Sequence, residues 1–280
     1  MLKDFLDELR EFDYSDKTID AYKRHLTEFE RWLIKRKRNL QKHNKFDVKD
    51  YVKYLMKMQV DGKSLKPASI HAKAHAIQSF WKVERDERIY LKLPRIKAKL
   101  PEWLTEDKIK IMKNSCVNLE EETAFIMAYE LALRREEIVN VKIEDVQLDK
   151  NLLVISKAKG GDMQMMPIQQ NLKNLLRKFL LYPHGEYLFD LFLGDYSKPS
   201  VWKFWDWIKQ LAVRSGLDPT KIYPHIFRHS KAIHLRQHGM RLEDLKDFLR
   251  HKSLQTVFIY AAFGHEDVGR TVKDIPSPLD

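Results

Sequence analysis

Four short segments of the chain gather side chains that could act on a charged ester. Leu131-Ala-Leu-Arg-Arg-Glu-Glu-Ile138 places Arg134 and Arg135 beside Glu136 and Glu137, and Lys157-Ala-Lys-Gly-Gly161 precedes Pro167. Pro224-His-Ile-Phe-Arg-His-Ser230 sets His225 and Arg228 at i and i+3, one face of a helix, where both can meet a single anion. The fourth segment runs from His251 through Ser253 and Leu254 to Ile259 and Tyr260. Guanidiniums hold non-bridging phosphate oxygens through charge-assisted bidentate bonds. Imidazoles move protons near neutrality. A phenol, with an ordinary pKa of about 10, attacks well once a base takes its proton or cations favour the phenolate. Taken singly, each residue has a plainer role. Arg134 can pair with Glu137 or Glu130, Lys159 can be a solvated turn lysine, His225 an ordinary first-turn helix residue, and Tyr260 a core aromatic with its hydroxyl at the surface.

The periodicity of the chain predicts the elements that must carry these segments. In Lys17 to Leu33, the apolar residues Ile19, Tyr22, Leu26, Phe29, Trp32 and Leu33 recur every three or four positions, with Ser15 or Asp16 as N-cap, so an amphipathic helix is expected. The basic run Lys35 to Arg38 closes it and suits the C-terminal dipole. Further helices are expected over Asp47 to Met58 and over Ser69 to Arg85, the latter capped by Ser69; with the opening segment they make four. The stretch Leu93 to Leu104 holds two prolines and has no period, so it reads as a linker. Beyond it, helix resumes near Thr105, and Glu121 to Val139 reads as one long buried helix. Glu144 to Val146, Leu152 to Ser156 and Met163 to Ile168 read as short strands with Gly160-Gly161 as a hairpin signal. Helical patterns then resume from Asn171 and continue through Pro199 to Gly216, Ile226 to His238, Leu242 to Arg250 and Leu254 to Ala262, and Trp202, Phe204, Trp205 and Trp207 fall at core-packing spacing.

Composition narrows the function classes. The 280 residues suit about two domains. The net charge of +11 is uneven: residues 1–100 hold 25 Lys+Arg against 15 Asp+Glu, a net of +10, and the remaining 180 hold 26 against 25. A basic first part joined to a nearly neutral second part points to a polyanion held by the first. A single cysteine, Cys116, excludes an intrachain disulfide framework and favours a reducing, cytoplasmic location. No apolar run approaches the roughly 18 residues of a membrane span, and the opening MLKDFLDELR lacks the pattern of a signal peptide. Neither a P-loop nor an H-E-x-x-H motif occurs, so no nucleotide cofactor and no metal are expected.

In type, spacing and order together, the four segments resemble the tyrosine recombinases, also called phage integrases. The first is similar to the family's T-G-L-R-x-S-E-L box, which maps its arginine onto Arg134 and its acid onto Glu137. The second is similar to the hairpin carrying the family lysine, and counting back from Pro167 selects Lys159 over Lys157. The third resembles P-H-x-L-R-H-S/T and marks His225 and Arg228. The fourth resembles H-x-S-L-x-T-x-x-I-Y, marking His251 and making Tyr260 the nucleophile. Ala132 replaces the usual glycine, Arg135 and Glu136 are unusually charged, and Arg250 stands where a glycine normally precedes the histidine.

The resemblance implies a mainly α fold with a small antiparallel β-sheet in two domains: a helical core DNA-binding domain over residues 1–95, a linker over 96–104, and an α+β catalytic domain over 105–280 with a C-terminal tail. Lys17-Thr18-Ile19 and Tyr22 look like the family's core-binding helix. Lys17, Thr18, Lys23, Arg24 and Lys73 are the candidate DNA contacts. It further implies strand cleavage through a 3′-phosphotyrosyl intermediate without metal or ATP, and a tetrameric synapse of protomers on double-stranded DNA. With the core-binding motif beginning near residue 15, the Xer branch, archaeal members among them, is the nearer likeness. A type IB topoisomerase-like relaxing activity and a non-catalytic DNA-binding regulator remain the rival readings.

Overall fold

In the computed structural model, residues 1–96, 100–155, 163–190, 193 and 198–264 are described. The chain separates into two units, Met1–Ala98 and Lys99–Asp280. Among the described residues no helix is long and apolar enough to cross a membrane.

Helix α1 (Leu2–Glu11) buries Phe5, Leu6 and Leu9. Helix α2 (Asp16–Lys35) starts where the Ser15 hydroxyl accepts the Thr18 N–H, satisfying a first-turn donor that would otherwise lack a partner. Its inward stripe is Ile19, Leu26, Phe29, Trp32 and Leu33. Part of the basic run after it has a packing role, since the Arg36 guanidinium lies 4.1 Å from the centre of the Trp32 ring. Helix α3 (Lys45–Lys57) opens with an Asn44–Asp47 capping box. A two-stranded hairpin follows, β1 (Gln59–Val60) and β2 (Lys63–Ser64), turned by Asp61 and Gly62 at φ 50° and 73°. This is the Asp-Gly signal of a tight hairpin, which the helical reading of the region passed over. Helix α4 (Pro67–Arg85) begins two residues before Ser69, because Pro67 brings a preset φ and no N–H to satisfy. Phe5, Phe29, Tyr51, Phe80 and Trp81 close the core of this unit around the buried His43 ring.

The second unit begins with α5 (Glu106–Asn114) and α6 (Leu119–Glu130), the latter capped by Asn118. The single helix expected over Glu121 to Val139 is instead broken. Leu131 to Arg134 leave the helix, Ala132 takes φ 46°, and a one-turn helix α7 (Arg135–Ile138) follows. A three-stranded antiparallel sheet in the order β3 (Val146–Gln147), β4 (Leu152–Ile155), β5 (Gln164–Pro167) pairs Leu153 with both Val146 and Met166. The strand expected at Glu144 is mostly a 3-10 turn, Ile143–Asp145. Helices α8 (Gln170–Phe179), α9 (Val201–Arg214), α10 (Pro224–Gln237) and α11 (Leu242–Phe248) complete the helical frame. The helical pattern expected over Leu254 to Ala262 takes the form of two 3-10 helices, Leu254–Thr256 and Phe258–Phe263. On α9, Phe204 and Trp207 are core residues as expected, but Trp202 is 82% exposed. The fold class is mainly α with small antiparallel sheets. A satellite core of Ala132, Ala232, Ile233, Leu245, Leu249, Val257 and Tyr260 underlies the segments singled out for chemistry.

Candidate active site

The break after α6 sets Arg134 at the N-cap of α7, where its backbone N–H donates to Glu137 Oε2 at 2.8 Å and its Nη1 donates to Oε1 at 2.5 Å. Arg250, just past α11, has φ 55°, and its side chain is buried against the same carboxylate, Nη2 donating to Glu137 Oε2 at 2.7 Å. Arg250 Nη1 also points at the Leu131 and Phe248 carbonyls, at 3.3 Å each. Burial alone would raise the Glu137 pKa. Arg250 and then Arg134 outweigh it and hold the carboxyl below its ordinary range. The two positions where the family pattern expects glycine, 132 and 250, are thus both left-handed, a conformation that favours glycine and that Ala132 and Arg250 adopt under strain.

Arg228 projects from α10 and is buried. Its Nη1 donates to the Ala132 carbonyl at 2.6 Å and its Nη2 to the Leu249 carbonyl. The chain breaks at Ala132 and after Leu249 therefore also supply its acceptors. Burial, then the Arg134 and Arg250 cations, push Arg228 down to about 9. Arg134 and Arg250 pair with Glu137, and Arg228 lies within reach of the same field, so this group of four carries a net charge of +2, suited to a phosphate.

Tyr260 lies beside this group in the Phe258–Phe263 turn, with 1% of its surface exposed. Burial pushes its pKa up to about 12 against the opposing pull of Arg228. Its hydroxyl is 2.7 Å from His229 Nδ1. Burial, with His225 and Arg228 acting in the same direction, pushes His229 down to about 4. At neutral pH the imidazole is therefore uncharged, and in its Nε2–H tautomer Nδ1 accepts this bond from the phenol. His225, one turn before His229, is exposed, and its pKa is lowered by desolvation and then by Arg228, Arg135 and Arg134. His251 Nδ1 lies 2.7 Å from Thr256 Oγ1, and burial followed by the surrounding arginines pushes its pKa down to about 4.

The structure therefore brings Arg134, Glu137, His225, Arg228, His251 and Tyr260 into one neighbourhood of the second unit. Lys159 lies outside the described residues; the segment 156–162 that contains it joins β4 to β5, whose last described pair is Ile155 with Gln164. In the first unit Lys17, Lys23 and Arg24 are exposed along α2, and the Thr18 hydroxyl meets that of Ser15 at 2.9 Å. Lys73 is different. It is tied to Glu28, with only 14% of its side chain exposed, and desolvation followed by Arg24 lowers its pKa, so any phosphate must compete with that carboxylate. Two site residues were missed by the sequence reading. His229 was given no role, although it directly follows Arg228. Arg250 was noted only as a departure, although a large cation in place of glycine is itself a signal. Among the described residues no group of three His, Cys, Asp or Glu side chains could hold a metal ion.

Residues 102–266 match the phage integrase family, and residues 2–86 match the phage integrase N-terminal SAM-like domain. Tyrosine recombinase XerA of Pyrococcus horikoshii is 31% identical over 217 residues, covering 76% of this chain and 74% of that protein. The crystal structure of XerH site-specific recombinase bound to difH substrate in a pre-cleavage complex aligns with a TM-score of 0.68 at 19% identity, over 91% of this chain and 79% of that one. A lambda integrase tetramer bound to a Holliday junction aligns with a TM-score of 0.65 at 15% identity, over 91% of this chain and 75% of that one. At these identities the structural likeness is one of fold.

Proposed function

The chain belongs to the phage integrase family, as a tyrosine recombinase of the Xer branch, and from that premise we propose how its residues carry out site-specific DNA recombination. Tyr260 attacks the scissile phosphorus in line and forms a 3′-phosphotyrosyl bond, releasing a 5′ hydroxyl. Arg134 and Arg228 hold the non-bridging oxygens as charge builds on them. Lys159 gives a proton to the departing 5′ oxygen. His225, exposed one turn before Arg228, exchanges protons with the phosphate and solvent. His251 meets a phosphate oxygen through Nε2, while Thr256 fixes its other nitrogen. Glu137 orients the Arg134 guanidinium. The observation that carries this reading is the +2 arginine group with a buried phenol beside it. Because the phosphotyrosyl bond retains the energy of the cleaved diester, rejoining needs no nucleotide, and arginines can do the charge stabilisation that metal ions do in other nucleases.

Residues 1–95 act as the core DNA-binding domain, 96–104 as the linker and 105–280 as the catalytic domain. The basic residues exposed on α2, Lys17, Lys23 and Arg24, reach phosphates of the double-stranded site. Four protomers form the synapse, and the protein works in the cytoplasm on integration, excision or chromosome-dimer resolution. Trapping on nicked suicide duplexes that carry candidate sites tests the reading. Wild type should become covalently attached at Tyr260 and stay active in excess EDTA. Tyr260→Phe should keep its fold, at a cost near one hydrogen bond of about 0.5–1.5 kcal/mol, keep binding DNA, and form no covalent complex. Covalent attachment by the phenylalanine variant, or loss of wild-type cleavage in EDTA with the fold intact, overturns the mechanism.

A further inference from the structure

The hydrogen bond from Tyr260 does not go to His225, the histidine of the family pattern, but to the next histidine along the same helix face. We propose that His229 is the catalytic residue that takes the Tyr260 proton as the tyrosyl oxygen attacks, and that returns it when the strand is resealed. The proposal rests on Tyr260 being the nucleophile.

The geometry gives His229 direct access to the reacting atom. Its Nδ1 is 2.7 Å from Tyr260 Oη, within the reach required of a general base. With the tyrosine 1% exposed, bulk water has no comparable approach to that hydroxyl. The helix around His229 is held in place: the Ser230 hydroxyl donates to the Ile226 carbonyl at 2.7 Å and accepts the Leu104 N–H at 2.8 Å, and the neighbouring Arg228 is anchored on the carbonyls of Ala132 and Leu249. The charged and titratable groups facing the imidazole are His225 and Arg228 on its own helix, Tyr260 on the 3-10 turn, and His251 beyond α11. They and the burial keep the ring neutral, and the proposal takes its Nε2–H tautomer, in which the Nδ1 lone pair faces the phenol.

The gap between a phenol at about 12 and an imidazole at about 4 fixes the timing of the transfer. The proton does not leave first. It moves as the Oη–phosphorus bond forms, when the oxygen ceases to be a phenol and becomes strongly acidic. In that step the Oη–P bond forms and the P–O5′ bond breaks. The Tyr260 proton passes to His229 Nδ1, and the 5′ oxygen takes a separate proton, for which Lys159 is the proposed donor. An imidazolium next to Arg228 is disfavoured in the empty site, but the bound phosphate supplies the compensating negative charge. In resealing, the 5′ hydroxyl attacks phosphorus and its proton returns to Lys159, while the P–Oη bond breaks and the imidazolium protonates the leaving Tyr260 oxygen.

The test is single-turnover cleavage of a suicide duplex by the full chain carrying His229→Asn. The asparagine side-chain oxygen falls near the position of Nδ1 and can still accept the Tyr260 hydrogen bond, but an amide cannot take the proton. Cleavage should slow by about 100-fold or more, with melting temperature and DNA affinity close to wild type. A substrate with sulfur at the bridging 5′ position should not relieve the defect, because His229 serves the nucleophile and not the leaving group. In wild type, the cleavage rate should be flat from about pH 8 to about pH 6, since a histidine already neutral there has no proton to lose. The proposal is overturned if His229→Asn cleaves within about threefold of wild type, which a structural hydrogen bond alone predicts, or if the sulfur substrate restores it. It is equally overturned if the wild-type rate titrates with an ordinary histidine midpoint near 6.5 and that midpoint persists in His225→Gln, a measurement that holds even should the His229 variant fail to fold. Covalent attachment by Tyr260→Phe would instead sink the nucleophile assignment, a separate result.

Discussion

Arg250 shows how one side chain can act on a reaction it does not touch. Its guanidinium is spent on Glu137 and on backbone carbonyls, yet it changes what Glu137 does to Arg134. With Arg134 as sole partner, the carboxylate would cancel that arginine's charge; with Arg250 also present, the group keeps a surplus. We expect Arg250→Gly, which restores the residue best suited to a φ of 55°, to relax the backbone yet slow cleavage of ordinary DNA by about tenfold or more. The deficit should shrink on a duplex whose scissile phosphate is replaced by an uncharged methylphosphonate, because less positive charge is then needed. An equal deficit on both substrates, measured in single turnovers, would reduce Arg250 to a packing residue.

At the scale of elements, what could be read in the sequence depended on whether local signals agreed with tertiary demand. The Ser15 cap and the apolar stripe of α2 were legible because the hydroxyl, the spacing and the burial all specify the same helix. The break at Ala132 was not. Alanine is the best helix former, and nothing local announces that its carbonyl is required by Arg228, 96 residues away. The turn bearing Tyr260 was legible as helical but its 3-10 form was not, since six residues hold too few repeats to separate a period of 3.6 from one of 3.0. The other residues of the candidate site were legible through their likeness to the family pattern, whereas His229 required a distance. Lys159→Ala should slow cleavage of ordinary DNA and be largely rescued by the bridging-sulfur substrate, whose thiolate leaves without a proton. Lys157→Ala should do neither, and rescue of Lys157→Ala instead would show that counting back from Pro167 chose the wrong lysine.

The whole molecule divides its labour by charge. Nearly all of the surplus cations belong to the first hundred residues, while the second unit concentrates its positive field in one buried group. A fragment of residues 1–95, which includes the core around Phe29 and Phe80, should bind duplex DNA with an affinity that falls steeply with salt, each neutralised phosphate adding about −0.9 to the log-log slope. Affinity nearly constant between low and moderate salt would contradict a phosphate-dominated contact. The left-handed backbone at position 250 also bears on how the sequence can drift. Arginine there strains the chain by about 1–2 kcal/mol, whereas leaving a buried carboxylate short of a partner costs about 3–5 kcal/mol, less here because Arg134 stays. Exchange for glycine is therefore downhill for the backbone and uphill for the protein. Positions 137 and 250 are thereby coupled, and the arginine can be given up cheaply only when the acid it pairs with is changed as well.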